Sequence, residues 1–178
     1  LYKQRKNIYT NTKYNIMKFT RINIEDLEFL SEVRNSVSEE FLHDSRTFTL
    51  EETLYWFNTI KPDFWIIWKD GVRIGYFRLS NYSKIDKDIY IGADLHENYR
   101  GKGLGYFSYM EFMPFLFNEY NLNKITLEVL STNKPAFNLY KKIGFVVDDI
   151  KKDDVLKNGE WVDSIIMSIK KDEFYENL

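Results

Sequence analysis

Apolar positions along the chain change period several times, and each change marks an element. "MKFTRIN" (17–23) alternates apolar and polar residues and predicts a strand. "IEDLEFLSEVRNSV" (24–37) instead spaces Leu27, Leu30 and Val33 along one helical face. A second helix is predicted from Thr49, with Glu52 placed for a capping box, through Ile60, and Pro62 ends it. "FWIIWK" (64–69) and "VRIGYFRLS" (72–80) flank Asp70-Gly71 and read as a β-hairpin.

"DIYIGADL" (88–95) alternates again, with Ile89, Ile91, Ala93 and Leu95 on one face and Tyr90, Gly92 and Asp94 on the other. An apolar helix is predicted from about Gly103 to Glu119, bent near Pro114. "KITLEVL" (124–130) predicts a strand carrying Glu128. Asn133 should cap a short helix, with Pro135 in its first turn and Gly144 stopping it. Strands near 145–152 and 160–169, joined by a turn at "KNGE", close the pattern. This order of elements predicts an α/β protein with a mixed sheet. No repeat or low-complexity linker divides it, so 17–178 reads as one domain. Residues 1–16 read as an appended arm or a remnant of added sequence.

Composition narrows the partners. The 178 residues carry 25 Lys+Arg against 27 Asp+Glu, a net charge of -2, so nucleic acid is not the expected partner. There is no cysteine, which removes disulfides, thiolate metal sites and thiol catalysis and fits a cytoplasmic setting. With His43 and His96 as the sole histidines, no His-rich metal site is expected, and His96 should face solvent. No apolar run approaches the roughly 20 residues of a membrane span. The polar, basic start is not expected to be a signal peptide.

"YRGKGLGY" (99–106) sets three glycines and two cations between a strand and a helix. Free N–H groups and the helix dipole at such a junction favour an anion. It is not a Walker A loop, because Lys102 is followed by Gly103, and not a dinucleotide fingerprint, because Tyr106 stands where the third glycine belongs. What remains is R-x-x-G-x-G, from Arg100, Gly103 and Gly105. An ordinary strand-to-helix turn carries the same pattern, so the residues downstream decide.

Those residues, "LEVLSTNKPAFNLYKKIGF" (127–145), together with "IYIGADLHENYRGKGLG", resemble both core motifs of the GCN5-related N-acetyltransferases (GNAT) over about 17–170. The resemblance implies a GNAT fold: a mixed, mostly antiparallel sheet splayed between two parallel strands, 88–95 and 124–130, and flanked by helices. It implies acetyl-CoA as co-substrate and no metal. The coenzyme diphosphate would lie on the backbone of Arg100, Gly101, Lys102, Gly103, Leu104 and Gly105, and pantetheine would pair near Asp94 and Leu95. Asn133 would contact pantetheine and Tyr140 would protonate the leaving thiolate. A base is needed for the ammonium acceptor, and the candidates rank Glu128, Asp94, then His43. Tyr140 as a packed core aromatic, and the carboxylates as polar liners, are the alternatives.

The stretch "VRNSVSEEFLHDSRTFTLEETLYWF" (33–57) is similar to acetyltransferases of nucleotide-linked 4-amino-4,6-dideoxy sugars, although Thr53 stands where a histidine is expected. That similarity implies an amino-sugar pocket built from Arg34, Asn35, His43, Arg46 and Tyr82. A polyamine or protein (ribosomal) N-terminal acetyltransferase of the same fold is the near alternative. A non-catalytic acyl-CoA-binding regulatory module is the distant one. A homodimer is left open.

Overall fold

Asp70 and Gly71 both adopt left-handed backbone, φ 50° and 80°, and Asn158 and Gly159 do the same at 50° and 84°. Two successive positive φ angles match the twist of the flanking strands, so both hairpins form at an Asp/Asn-Gly pair. The structure, a computed structural model, describes residues 7–12 and 15–178. Its strands are β1 (Asn7–Thr12), β2 (Asn15–Arg21), β3 (Asp63–Lys69), β4 (Val72–Ser83), β5 (Asp88–Leu95), β6 (Lys124–Leu130), β7 (Val146–Lys157) and β8 (Glu160–Lys170). They form one mixed sheet in the order β1-β2-β3-β4-β5-β6-β8-β7. The β5–β6 pair is parallel and the other neighbouring pairs are antiparallel.

The helices are α1 (Leu27–Phe41), α2 (Leu50–Ile60), α3 (Leu104–Glu119), α4 (Lys134–Ile143) and α5 (Lys171–Glu176). Thr49 and Glu52 form the expected capping box of α2. Pro114 sits inside α3 without ending it. Three boundaries differ from the sequence reading. The first helix opens as a 3-10 turn over Ile24–Asp26, capped by Asn23, and α1 continues to Phe41. Strand β7 extends to Lys157 through irregular pairing between Lys151 and Val155. Residues 7–12, read as part of an appended arm, pair antiparallel with β2 as the outermost strand, while 1–6, 13 and 14 lie outside the described residues.

Period-2 alternation gives the sheet two apolar faces. One buries Phe19, Trp65, Ile67, Phe77 and Ile91 against Tyr109, Phe112 and Leu116 of α3, Tyr140 of α4 and Phe174 of α5. The other buries Ile66 and Tyr76 against Leu27, Leu30 and Val33 of α1, with Trp56 and Phe57 of α2 beside them. At about 25 cal/mol per Å² of apolar surface removed from water, these layers dominate the stability.

The parallel pair decides where a ligand can enter. Strands β5 and β6 pair only at Asp88–Lys124, Ile89–Ile125 and Tyr90–Thr126. Asp88 holds that end closed, accepting hydrogen bonds from the Thr126 hydroxyl at 3.0 Å and lying 3.3 Å from the Lys124 ammonium. Beyond Tyr90 the strands part. Strand β5 follows β4 out to Leu95–Gly75, and β6 follows β8 out to Leu130–Ser164. The facing backbone edges are left without a ladder partner, as the splay expected from the resemblance requires.

Candidate active site

The glycine turn lies at the mouth of this splay. Gly101 and Gly103 take φ of 70° and 75°, a conformation that side chains with a Cβ adopt only under strain. Gly103 is the N-cap of α3 and gives it no side-chain cap, so first-turn N–H groups face outward unmatched. A Cβ on Gly101 would meet nothing within 4 Å, which leaves the backbone approachable. Gly105 has a different reason to be small: its Cβ would sit 3.1 Å from Leu139 of α4, so it sets how closely the two helices pack. Arg100 folds back, its Nε donating to the Leu95 carbonyl at 2.7 Å, and Lys102 Nζ donates to the Asn98 carbonyl at 2.8 Å. Leu104 is buried on the first turn of α3.

Helix α4 aims Tyr140 inward because both its ends are fixed. The Asn133 side chain accepts from the Ala136 N–H at 3.2 Å, and Gly144, at φ 112°, stops the helix. Tyr140 is 7% exposed and meets Tyr109 edge-on, with ring centroids 5.7 Å apart. Burial pushes the Tyr140 phenol above its usual range, with the Tyr109 hydroxyl opposing in part, so it holds its proton at neutral pH. A small cavity of about 60 Å³ lies between Tyr140, Tyr109, Ser108, Gly105 and Leu95.

On the opposite face of the sheet a cavity of about 770 Å³ opens between α1, α2 and β4. Trp56, Phe48 and Phe64 give it aromatic walls, and Tyr76 and Arg78 reach it from β4. Three of the five buried side-chain polar atoms without a hydrogen-bond partner, among the described residues, belong to Tyr76, Arg78 and Asp94 on the facing strands β4 and β5. Such atoms cost free energy unless something satisfies them, so their grouping marks a ligand position. Burial alone would lower the Arg78 pKa, but Asp94, 3.3 Å from its guanidinium, and the Tyr76, Tyr140 and Tyr109 phenols together more than offset that and keep it charged.

Each expected site residue has a definite place. Arg34 and Arg46 line the large cavity. Arg34 stacks over the Phe48 ring at 4.4 Å and donates to the Arg46 and Asp44 carbonyls, so it also holds the loop after α1. Asn35 does not line the cavity: its amide donates to the Phe48 carbonyl at 2.8 Å and its oxygen accepts from the Phe48 N–H at 3.0 Å. Tyr82 stands toward the other end of β4, donating to the Tyr120 carbonyl at 3.0 Å. Asp94 faces Arg78 rather than standing free. Glu128 is bound by Lys151 at 2.9 Å and lies 3.4 Å from His43. His43 Nε2 also lies 2.9 Å from the Ser164 hydroxyl, and burial lowers its pKa while Glu128 and Asp154 oppose. His43, Glu128 and Asp154 converge within 4.8 Å, with Lys151 on Glu128 and the Ser164 hydroxyl on His43.

His96, expected in solvent, has an 18%-exposed side chain, which caps a short turn by accepting from the Asn98 N–H and stacks near Phe29. Sequence reasoning missed Tyr76, Arg78 and Tyr109. The signal for the first two was present: in "GYFRL" they stand two apart, one on a hydroxyl and one on a charge, within an otherwise apolar strand. Among the described residues no helix is long and apolar enough to cross a membrane.

Comparison with known proteins gives the same outline. The family model of the acetyltransferase (GNAT) domain matches residues 17–146. A Bacillus subtilis protein provisionally named [ribosomal protein bS18]-alanine N-acetyltransferase is 28% identical over 151 residues, 84% of this chain and 93% of that one. The L-amino acid N-acetyltransferase AaaT of Escherichia coli is 30% identical over 77 residues, 43% of this chain and 48% of that one. The chain spans about half the length of the other curated relatives it matches, from 46% to 57%. Among solved structures, spermidine N-acetyltransferase from Vibrio cholerae, in complex with CoA and spermine, superposes with a TM-score of 0.83 at 20% identity. That superposition covers 89% of this chain and 98% of the other.

Proposed function

This chain belongs to the GNAT acetyltransferase family, and from that premise we propose that it moves an acetyl group from acetyl-CoA to a primary amine held in the α1–α2 cavity. The observation that carries the reading is the uncapped start of α3 at the mouth of the β5–β6 splay, with buried Tyr140 behind it. Backbone N–H groups at Arg100–Gly105 bind the diphosphate, helped by the charges of Arg100 and Lys102. The free strand edges past Tyr90 take the pantetheine arm near Leu95, beside Asn133.

In the reaction the neutral amine attacks the thioester carbonyl. The new C–N bond replaces the C–S bond, Tyr140 gives its proton to the departing sulfur, and the acceptor nitrogen loses its extra proton. Asp94 and Glu128 are the carboxylates on the two sides of the splay that can take that proton through water. Arg78 lies 3.3 Å from Asp94 and Lys151 2.9 Å from Glu128.

The amino-sugar pocket read from 33–57 has weaker support. Three of its five residues, Asn35, His43 and Tyr82, are engaged elsewhere, and the relatives described above are named for spermidine, L-amino acids or a ribosomal protein. The test is thiol release from acetyl-CoA with a panel of amines: an L-amino acid, a peptide N-terminus, spermidine and a nucleotide-linked 4-amino-4,6-dideoxy sugar. Acetylation of any member supports the transferase reading. Tight CoA binding by calorimetry without turnover on any member would make the chain an acyl-CoA-binding module instead.

A further inference from the structure

The charges around the large cavity are unevenly matched. Asp44 binds Arg46 at 2.7 Å and lies 3.7 Å from Arg34, so those three charges satisfy one another. Glu52 is held in the α2 capping box by Thr49, and the exposed Glu51 adds one more carboxylate to the lining, away from the floor on β4. On the cavity floor, among the described residues, Arg78 makes no hydrogen bond: its Nε has no acceptor, and its ion partner is Asp94 at 3.3 Å. The Tyr76 hydroxyl, also on the floor, makes no hydrogen bond among the described residues, and Asp94, opposite Tyr76 on β5, faces Arg78 through its Oδ2. The floor therefore offers two donor groups, with the Asp94 carboxylate beside Arg78.

We propose that the acceptor is an amine carrying a carboxylate one or two carbons from its nitrogen, with Arg78 and Tyr76 reading the carboxylate and Asp94 receiving the ammonium. This rests on the transferase reading above. A guanidinium presents parallel N–H groups that match a carboxylate in two-point contact, and such charge-assisted bonds are about twice as strong as neutral ones. A zwitterion brings one charge of each sign and leaves the floor balanced. A polyamine brings several cations and no anion, and meets Arg78 where it would need carboxylates. A peptide N-terminus brings a neutral carbonyl, which uses the donors without answering the charge.

The chemistry is tested by comparing kcat/KM for an L-α-amino acid, the same residue as its C-terminal amide, and spermidine, in the wild-type chain and in Arg78→Gln and Arg78→Lys. The wild type is expected to prefer the acid over the amide by about 10- to 100-fold, through KM. Arg78→Gln should collapse that ratio toward one, and Arg78→Lys, which keeps the charge without the fork, should retain part of it. A change in folding alone would lower both acceptors together and leave the ratio standing. CoA affinity, measured by calorimetry, shows that each variant is folded. Equal use of acid and amide by the wild type, preference for spermidine, or an unchanged ratio in Arg78→Gln overturns the proposal while the transferase reading stands. Absence of thiol release with every amine overturns both.

Discussion

A Cβ on Gly92 would sit 2.9 Å from the guanidinium of Arg78. Arg78 thus lies flat across the bare backbone of β5 on its way to Asp94, and the hairpin register, which sets Arg78 opposite Gly92 and Tyr76 opposite Asp94, makes that reach possible. Because the clash is with the mobile end of a side chain, Gly92→Ala should cost little stability and displace Arg78 instead. The expected outcome is a thermal midpoint within a few degrees of wild type, roughly 1 kcal/mol or less, and a raised acceptor KM. An unmoved KM would show that the position of Arg78 does not matter to the acceptor.

Gly103→Val is expected to act twice. The left-handed φ of 75° costs a branched residue about 1–2 kcal/mol of stability. Beyond that, the added bulk stands where the diphosphate would rest on the backbone, so CoA affinity should fall. Calorimetry on the folded variant decides it: full CoA affinity would remove the glycine turn from the binding site.

Tyr140→Phe removes the buried hydroxyl and little volume. Turnover should drop by roughly 10²–10⁴-fold if proton delivery limits the rate, with CoA affinity nearly unchanged. Since burial raises the Tyr140 pKa, wild-type activity should show no loss from this group until well into alkaline pH. Wild-type turnover in the phenylalanine variant would reduce Tyr140 to packing against Tyr109 and Phe145.

Acid sensitivity should trace in part to His43. Burial lowers its folded pKa below the ordinary 6.5, against the opposing pull of Glu128 and Asp154. The unfolded chain then binds the proton more readily, so stability is fully present above about pH 6.5 and declines as pH falls through the lower folded value. Denaturant titrations between pH 7 and 5 should give a shallower decline in His43→Gln than in the wild type. Parallel curves would assign the acid sensitivity to other groups.

Asn35→Ala tests a residue that the sequence offered as a substrate contact. It should release both hydrogen bonds to Phe48 and lower stability by about 1–2 kcal/mol. If Asn35 instead touched substrate, stability would hold while acceptor KM alone rose.

The sequence by itself determined most of the elements and the glycine turn proposed to hold the coenzyme. Those features are local: the period of apolar residues, Asp70-Gly71 and Asn158-Gly159 at the hairpins, Thr49-Glu52 and Asn133-Gly144 at helix ends, and glycine where φ must be positive. Each depends on a few neighbouring residues, so it can be read without knowing what packs on top. The acceptor half was decided by tertiary structure. Alternation says which face Asp94, Glu128 and Tyr82 share, but not that Arg78 crosses Gly92 to meet Asp94, that Lys151 and His43 engage Glu128, or that Tyr82 turns to Tyr120. Nor does the spacing of α1 reveal that Asn35 clamps Phe48. Those partners come from strand register and from a loop laid across the sheet, contacts between residues far apart in sequence. A polar side chain's role follows from the group it meets there, because an ion pair or hydrogen bond acts only over a few ångströms.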